Sequence, residues 1–288
     1  MVFKKIFGGG SAKLPEQLDI DDLIVLERYA EAEERLRARL QSTSSDLHAH
    51  VKLAEVFTAT GKVASAVQEY LFAADEYADD GFYDKAIALL AKAAKLDPAD
   101  TTIAGRVERF EEVKRVEQSR AMALEGLMTA RRESGERPSM LEAQQIWLDL
   151  QATPLMKRLN ADQLRRLFGA VAILKPPPGA PLVEQGSSEQ KLFIVSRGGV
   201  EAIWQGKSRR TTLRTFGPGD VFGESALFER QPWRFTCYAD SLCVLLALDK
   251  TGLELALQGN ADPMTLLEVL RGSRNDRELA SAIAMLEG

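Results

Sequence analysis

The spacing of apolar residues changes near the middle of the chain. In the first half, apolar residues recur every three or four positions from Leu18 to Leu40 and again from Thr101 to Arg132, which predicts helices. The tail from Pro263 to Leu286 has the same helical spacing. After Gly169, short apolar runs bounded by Gly- and Pro-containing turns predict strands at Ala170–Leu174, Pro181–Glu184, Lys191–Ser196, Val200–Trp204, Thr211–Phe216, Thr236–Ala239 and Leu242–Leu248. The pattern therefore predicts a helical half followed by a β-roll with flanking helices.

The helical half contains an internal repeat. Four positions recur twenty residues later, where Gly61, Ala66, Tyr70 and Ala73 are followed by Gly81, Ala86, Leu90 and Ala93. A glycine ends one helix in the left-handed conformation, and the next helix begins two or three residues later. The small alanines let neighbouring helices approach closely, so the repeat predicts a stack of helical hairpins.

These hairpins resemble the tetratricopeptide repeat family. The matching run extends from Leu53-Ala54 through the repeat to Pro98, and its period is 20 instead of the usual value of about 34. One helix, from about Val63 to Ala78, would therefore serve both hairpins. The resemblance implies a groove that binds a protein partner. A generic helical bundle is the alternative.

A second motif lies in the β-rich half, at Phe222-Gly223-Glu224-Ser225-Ala226-Leu227. The glycine lets the backbone approach a ligand. The next residues open a helical turn whose backbone N–H groups point at an anion. The glutamate is placed to accept a sugar hydroxyl, and an arginine returning from the following loop would pair with a phosphate diester.

This motif and its surroundings, from Pro154 to the end, resemble the cyclic nucleotide-binding domain family. The resemblance implies a cyclic nucleotide ligand, either cAMP or cGMP. It implies that Glu224 binds the ribose 2′-hydroxyl and that the amides around Ser225 and Ala226 hold the cyclic phosphate. The complete set of implied ligand-binding residues is Phe222, Gly223, Glu224, Ser225, Ala226, Arg234, Phe235 and Thr236.

The position of the arginine depends on the version of the motif. In the kinase-regulator version it lies nine residues after the glutamate, where this chain has Trp233; in the catabolite-activator version it lies ten after, at Arg234. The family usually has a small residue next, and here Phe235 would crowd the phosphate. A degenerate, purely structural motif and a different ligand such as a cyclic dinucleotide therefore remain alternatives.

Composition narrows the functional classes. The chain has 288 residues, a net charge of −5 and a pI near 5.4, which argues against gripping a nucleic acid backbone. With two Cys and two His, we expect neither a disulfide framework nor a metal, and the absence of His after residue 150 excludes a metal-binding cupin. No catalytic constellation appears, so we expect a non-enzyme. No secretory signal or membrane-spanning run is apparent, so we expect a cytoplasmic protein without stable membrane insertion.

The predicted organisation is multidomain: an all-α, tetratricopeptide-like repeat followed by an α+β cyclic nucleotide-binding domain of the β-roll or jelly-roll type. Its predicted parts are a flexible tail at 1–16, the helical domain at 17–133, a linker and entry helix at 134–153, and the cyclic nucleotide-binding-like domain with C-terminal lid helices at 154–288. We expect a bacterial regulatory sensor-adaptor. The alternative is a ligand-independent scaffold, and an enzyme with an unrecognised site is a third possibility.

Overall fold

The computed structural model describes residues 18–132, 135–207, 209–272 and 275–287. The tail predicted at 1–16 lies outside these ranges. The chain separates into two compact units that divide between Lys114 and Arg115. This division falls inside one long helix, Thr101–Thr129, and the predicted domain boundaries remain predictions.

The first unit is helical, as predicted. Asp19 and Asp46 cap two of its helices by accepting the backbone N–H groups of Asp22 and Ala49. Its helices are α1 (Ile20–Val25), α2 (Tyr29–Ser42), α3 (Leu47–Ala59), α4 (Val63–Asp79), α5 (Tyr83–Leu96) and the first part of α6 (Thr101–Thr129).

The twenty-residue repeat has a structural counterpart at the ends of α3 and α4. Gly61 and Gly81 have positive φ angles of 72° and 81°, in the left-handed region that glycine tolerates. At the first, the N–H of Lys62 donates to the carbonyl oxygen of Phe57 at 2.8 Å; at the second, the N–H of Phe82 donates to that of Tyr77 at 2.7 Å. The predicted helix ends are therefore confirmed. The repeated alanines, Ala66, Ala73, Ala86 and Ala93, are all fully buried.

The second unit contains the remainder of α6 and two β-sheets with surrounding helices. Its strands are β1 (Arg131–Arg132), β2 (Ala172–Leu174), β3 (Pro181–Val183), β4 (Lys191–Arg197), β5 (Val200–Gln205), β6 (Arg210–Phe216), β7 (Val221–Phe222), β8 (Thr236–Ala239) and β9 (Val244–Asp249). Its helices are α7 (Met140–Leu150), α8 (Pro154–Lys157), α9 (Ala161–Ala170), α10 (Glu224–Phe228), α11 (Lys250–Leu257), α12 (Pro263–Arg271) and α13 (Asn275–Glu287).

One sheet has the order β1-β2-β9-β4-β7 and the other the order β3-β8-β5-β6. The first sheet is buried on both faces, which explains the nearly continuous apolar runs of β4 and β9. In β4, Phe193 and Val195 belong to a core shared with the second sheet, whereas Leu192 and Ile194 belong to a core shared with the helices. The strand alternation thus builds two cores from one sheet.

The predicted strands are confirmed with small shifts at their ends. The strand predicted from Leu242 begins at Val244, because Leu242 is 79% exposed in the preceding loop. The sequence analysis missed β1 and β7, since pairs of residues are too short to show a periodic pattern. Cys237 and Cys243 are buried free thiols in this unit, and burial raises the pKa of both. Within the described ranges, no helix has the length and apolarity needed to cross a membrane.

Two glycines of α6 provide a matched test of packing: Gly126 lies in the second unit, where α6 meets α9, and Gly105 lies in the first unit. A Cβ at Gly126 would lie 2.3 Å from the carbonyl oxygen of Arg165 in α9, whereas one at Gly105 would meet nothing within 4 Å. We expect Gly126→Ala to lower the free energy of unfolding by about 1–3 kcal/mol through overpacking. We expect Gly105→Ala to raise it by about 0.5–1 kcal/mol through helix propensity. Urea unfolding followed by circular dichroism measures both, and equal stabilisation by the two changes would contradict the close approach of α6 and α9.

Candidate functional site

The candidate site is built around the turn that joins β7 to α10. Gly223 occupies this turn with φ of 91°, and a Cβ there would lie 2.4 Å from the carbonyl oxygen of Lys191. The preceding Phe222 is fully buried, and its ring stacks on Phe216 with 4.5 Å between centroids. The turn is therefore fixed by a left-handed glycine and by an aromatic anchor between the sheets.

Two backbone N–H groups of this turn point at one carboxylate. The N–H of Gly223 donates to Oδ1 of Asp276 at 3.0 Å, and the N–H of Ser225 donates to Oδ2 at 2.9 Å. In return, the N–H of Asp276 donates to Oε1 of Glu224 at 2.9 Å. The turn thus holds a carboxyl group through two amides, and that group is a side chain of the same protein.

Asp276 lies in the first turn of α13, whose start is fixed by a second contact. The Asn275 side chain donates from Nδ2 to the carbonyl oxygen of Val221 at 2.6 Å, and its Oδ1 accepts from Arg214 at 2.7 Å. Further along the helix, Leu279 and Ile283 are buried in the core between the sheets. Helix α13 therefore binds the turn through polar contacts at its start and the core through its apolar face.

Burial raises the pKa of Asp276 above its usual range, although the two amide hydrogen bonds act in the opposite direction. Its side chain and that of Glu224 are both buried, each with 7% exposure of the residue. Burying a charged carboxylate costs free energy of folding unless hydrogen-bond donors surround it. The amides of Gly223 and Ser225 supply those donors.

A cavity of about 30 Å³ lies beside this contact. That volume corresponds to about one water molecule. Its lining includes four of the predicted site residues, Ser225, Ala226, Arg234 and Phe235, together with Asp276, Ala280, Gln231, Pro232 and Trp233. The contacts of α13 therefore leave little space where the sequence analysis placed a ligand.

Arg234 lies at the edge of the cavity, with its side chain 41% exposed. Its guanidinium contacts Glu287, near the end of α13, with 3.2 Å between Nη2 and Oε2. An ion pair as exposed as this one contributes little to stability, about 0–1 kcal/mol. The arginine is therefore held only weakly in its present position.

Trp233 occupies the alternative arginine position, nine residues after Glu224. It is buried, its ring packs against Phe193, Phe222 and Phe235, and its indole N–H donates to the carbonyl oxygen of Glu189 at 2.8 Å. Trp233 is therefore a packing residue in this structure. Trp233 also lies against Gly223, where an added Cβ would be 2.8 Å from its ring.

The remaining predicted site residues have different surroundings. Phe235 is buried between Trp233 and the cavity, so its ring contributes to the small volume of the cavity. The hydroxyl of Thr236 accepts the N–H of Gln185 at 3.0 Å, and Thr236 does not line the cavity. Phe222 belongs to the core.

The sequence analysis missed Asp276 as a site residue. The only signal in the sequence was an Asn-Asp pair at the start of an amphipathic helix, which is typical of ordinary helix capping. Over the ranges that the structure describes, no three His, Cys, Asp or Glu side chains gather as a metal site.

Comparison with known proteins supports the family resemblance of the β-rich half. A family model described as "Cyclic nucleotide-binding domain" matches residues 173–260. This range contains the β7–α10 turn and Arg234. Helix α13 with Asp276 follows it.

Curated relatives match the same part of the chain. The cAMP-dependent protein kinase regulatory subunit of Mycosarcoma maydis is 28% identical over 127 residues, which are 40% of this chain and 24% of the relative. The potassium channel KOR1 of Oryza sativa subsp. japonica is 30% identical over 102 residues, or 35% of this chain and 12% of the channel. This chain thus spans about a quarter or less of the length of these relatives.

Among solved structures, the catabolite activator protein of Thermus thermophilus is 24% identical and covers 47% of this chain and 62% of its own, with a TM-score of 0.40. The regulatory domain of Toxoplasma gondii protein kinase A, solved with cAMP, is 17% identical and covers 50% and 52%, with a TM-score of 0.37. The family model thus identifies residues 173–260 as a cyclic nucleotide-binding domain.

Proposed function

We propose that this chain is a regulatory sensor-adaptor whose β-roll binds a cyclic nucleotide, cAMP or cGMP, at the β7–α10 turn. The observation that carries the proposal is the pair of N–H groups from Gly223 and Ser225, which converge on the two oxygens of one carboxylate. A cyclic phosphate diester also bears one negative charge and two acceptor oxygens. The same two donors therefore suit its phosphate.

We propose the other contacts of the ligand from the resemblance of the motif to the cyclic nucleotide-binding family. Glu224 is buried beside the two donors and would accept the ribose 2′-hydroxyl. Arg234 lines the same cavity and would turn from Glu287 to the phosphate. That exchange is favourable because a desolvated arginine–phosphate contact is stronger than an exposed ion pair.

The helical unit would bind a protein partner, so that the β-roll controls the partner's activity. The matching turns at Gly61 and Gly81 support a hairpin repeat of the tetratricopeptide kind. Stacks of such hairpins leave an extended groove for a peptide or helix. We also propose that the protein is cytoplasmic and of bacterial type.

A ligand-independent scaffold is the second candidate, and Trp233 favours it. This residue fills the position nine after Glu224 with a buried aromatic ring, and Phe235 adds another ring beside the cavity. If these rings close the site permanently, the β-roll would serve only as an interaction surface.

Ligand binding by the full chain distinguishes the two candidates. At a cAMP concentration of one hundred times Kd, binding stabilises the native state by about 2.7 kcal/mol. We expect this to raise the Tm of the β-roll unit by roughly 5–10 °C in a thermal-shift measurement. Adenosine 5′-monophosphate, which lacks the cyclic diester, is the control and should produce a smaller shift. If millimolar cAMP, cGMP and a cyclic dinucleotide all leave Tm unchanged, the scaffold is the correct function.

Arg234 can be tested by substitution, with Arg197 in the same unit as the matched control. Arg197 is similarly exposed, at 45%, and also pairs with one acid, Asp149. We expect Arg234→Ala to weaken cAMP binding about 10- to 100-fold, because a charge-assisted hydrogen bond to phosphate is lost. Arg197→Ala should leave the affinity unchanged. Isothermal titration calorimetry measures both, and full affinity in Arg234→Ala would show that the arginine does not contact the phosphate.

A further inference from the structure

Helix α13 occupies the N–H groups of the turn that the proposed function gives to the ligand. The carboxylate of Asp276 accepts these N–H groups, from Gly223 and Ser225, at 3.0 and 2.9 Å. Because each of these backbone donors has one hydrogen, a phosphate cannot bind them while Asp276 remains in place. Asp276 and the ligand are therefore mutually exclusive at these two groups.

The far end of the same helix contacts the other predicted phosphate ligand. Glu287 holds the guanidinium of Arg234 at 3.2 Å. Between the two ends, Ala280 lines the cavity, and Leu279 and Ile283 pack into the core. One helix thus engages the amides and the arginine at the same time.

We propose that α13 is an autoinhibitory helix that occupies the nucleotide site, with Asp276 in the place of the cyclic phosphate and Glu287 holding Arg234. This inference rests on the proposed function for the identity of the ligand. The contacts of the helix are independent of it. A ligand enters only when the start of α13 leaves the turn, so binding and helix release are linked.

The contacts of α13 both favour and oppose its docking on the turn, so the helix can be displaced. The docked Asp276 is buried, with 7% exposure, so its carboxyl group gives up favourable hydration. The Arg234–Glu287 pair is half exposed and weak. Opposing these costs are the buried side chains of Leu279 and Ile283, which keep the helix docked.

Asp276→Asn tests the inference directly, because the change is nearly isosteric. The amide oxygen of asparagine can accept one of the two N–H groups, but its NH₂ group then faces the other donor. The docked state of α13 is therefore weakened while the turn itself is unchanged. Glu278→Gln is the control, because it removes a charge from the same helical turn at a side chain that is 68% exposed and contacts Arg214.

We expect Asp276→Asn to lower the apparent Kd for cAMP about tenfold or more, since a larger fraction of the protein is then open. Glu278→Gln should change the Kd by less than about twofold, because exposed ion pairs contribute little. Without ligand, we also expect backbone amides of 275–287 to exchange hydrogen faster in Asp276→Asn than in the wild type. Unchanged or weaker cAMP binding in Asp276→Asn would overturn the autoinhibitory role.

A measurement on the wild-type chain keeps the inference testable if the variant does not fold. Saturating cAMP should accelerate hydrogen exchange in residues 275–287, because the ligand displaces the helix. A helix that closes over its ligand would exchange more slowly instead, and that result would contradict the inference.

These experiments distinguish a failure of the proposed cyclic nucleotide binding from a failure of the autoinhibitory role of α13. If neither the wild type nor Asp276→Asn binds cAMP or cGMP, the proposed function is wrong. Faster exchange of α13 in Asp276→Asn, but not in Glu278→Gln, would then still support Asp276 as the latch of the helix. If cAMP binds equally to all three chains and α13 exchange is unchanged, the function stands and the autoinhibitory helix is wrong.

Discussion

The site depends on two backbone N–H groups that leave the β7–α10 turn and must find an acceptor. Buried donors of this kind are satisfied in almost all native structures, since an unpaired one costs about 1–3 kcal/mol. Here Asp276 satisfies both, and the pairing fixes where α13 begins. The same two donors also suit an anionic ligand. The contact that places α13 is therefore the contact that would exclude the ligand.

The scaffold explains why this turn is rigid. Phe222 is anchored by stacking against Phe193 and Phe216, one residue before Gly223. The first sheet is packed on both faces, against the second sheet and against the helices. This packing opposes a rearrangement that would hide the N–H groups of the turn. Any change in their occupancy must come from the acceptor, which is carried by the C-terminal helix.

The sequence predicted those features of the site that depend on neighbouring residues. The Gly-Glu-Ser turn follows from local backbone chemistry, and the repeated helix ends at Gly61 and Gly81 follow from the left-handed tolerance of glycine. Asp276 could not be predicted, because it reaches Gly223 across 53 residues and its own surroundings indicate only a helix start. Periodicity within a helix shows which face is apolar but not which turn of another element it meets.

The choice between Trp233 and Arg234 shows a second limit. The nine-residue spacing gives a tryptophan and only the ten-residue spacing gives an arginine, and the structure shows how differently the two side chains are placed. The indole is buried among three aromatic rings and donates its N–H to a carbonyl oxygen, whereas the guanidinium next to it stays half exposed. Burying the aromatic ring gives far more hydrophobic stabilisation than burying an arginine. Arg234 is thereby left at the mouth of the cavity, where α13 engages it.

Nuclear magnetic resonance during a cAMP titration shows whether Asp276 occupies the position of the ligand's phosphate. We predict that saturating cAMP shifts the amide resonances of Gly223 and Ser225 as the phosphate replaces the carboxylate. In the same titration, the amide resonance of Asp276 should also shift, because its N–H leaves Oε1 of Glu224 when α13 leaves the turn. If cAMP binds while the amide resonances of Gly223, Ser225 and Asp276 are unchanged, Asp276 does not occupy the phosphate position.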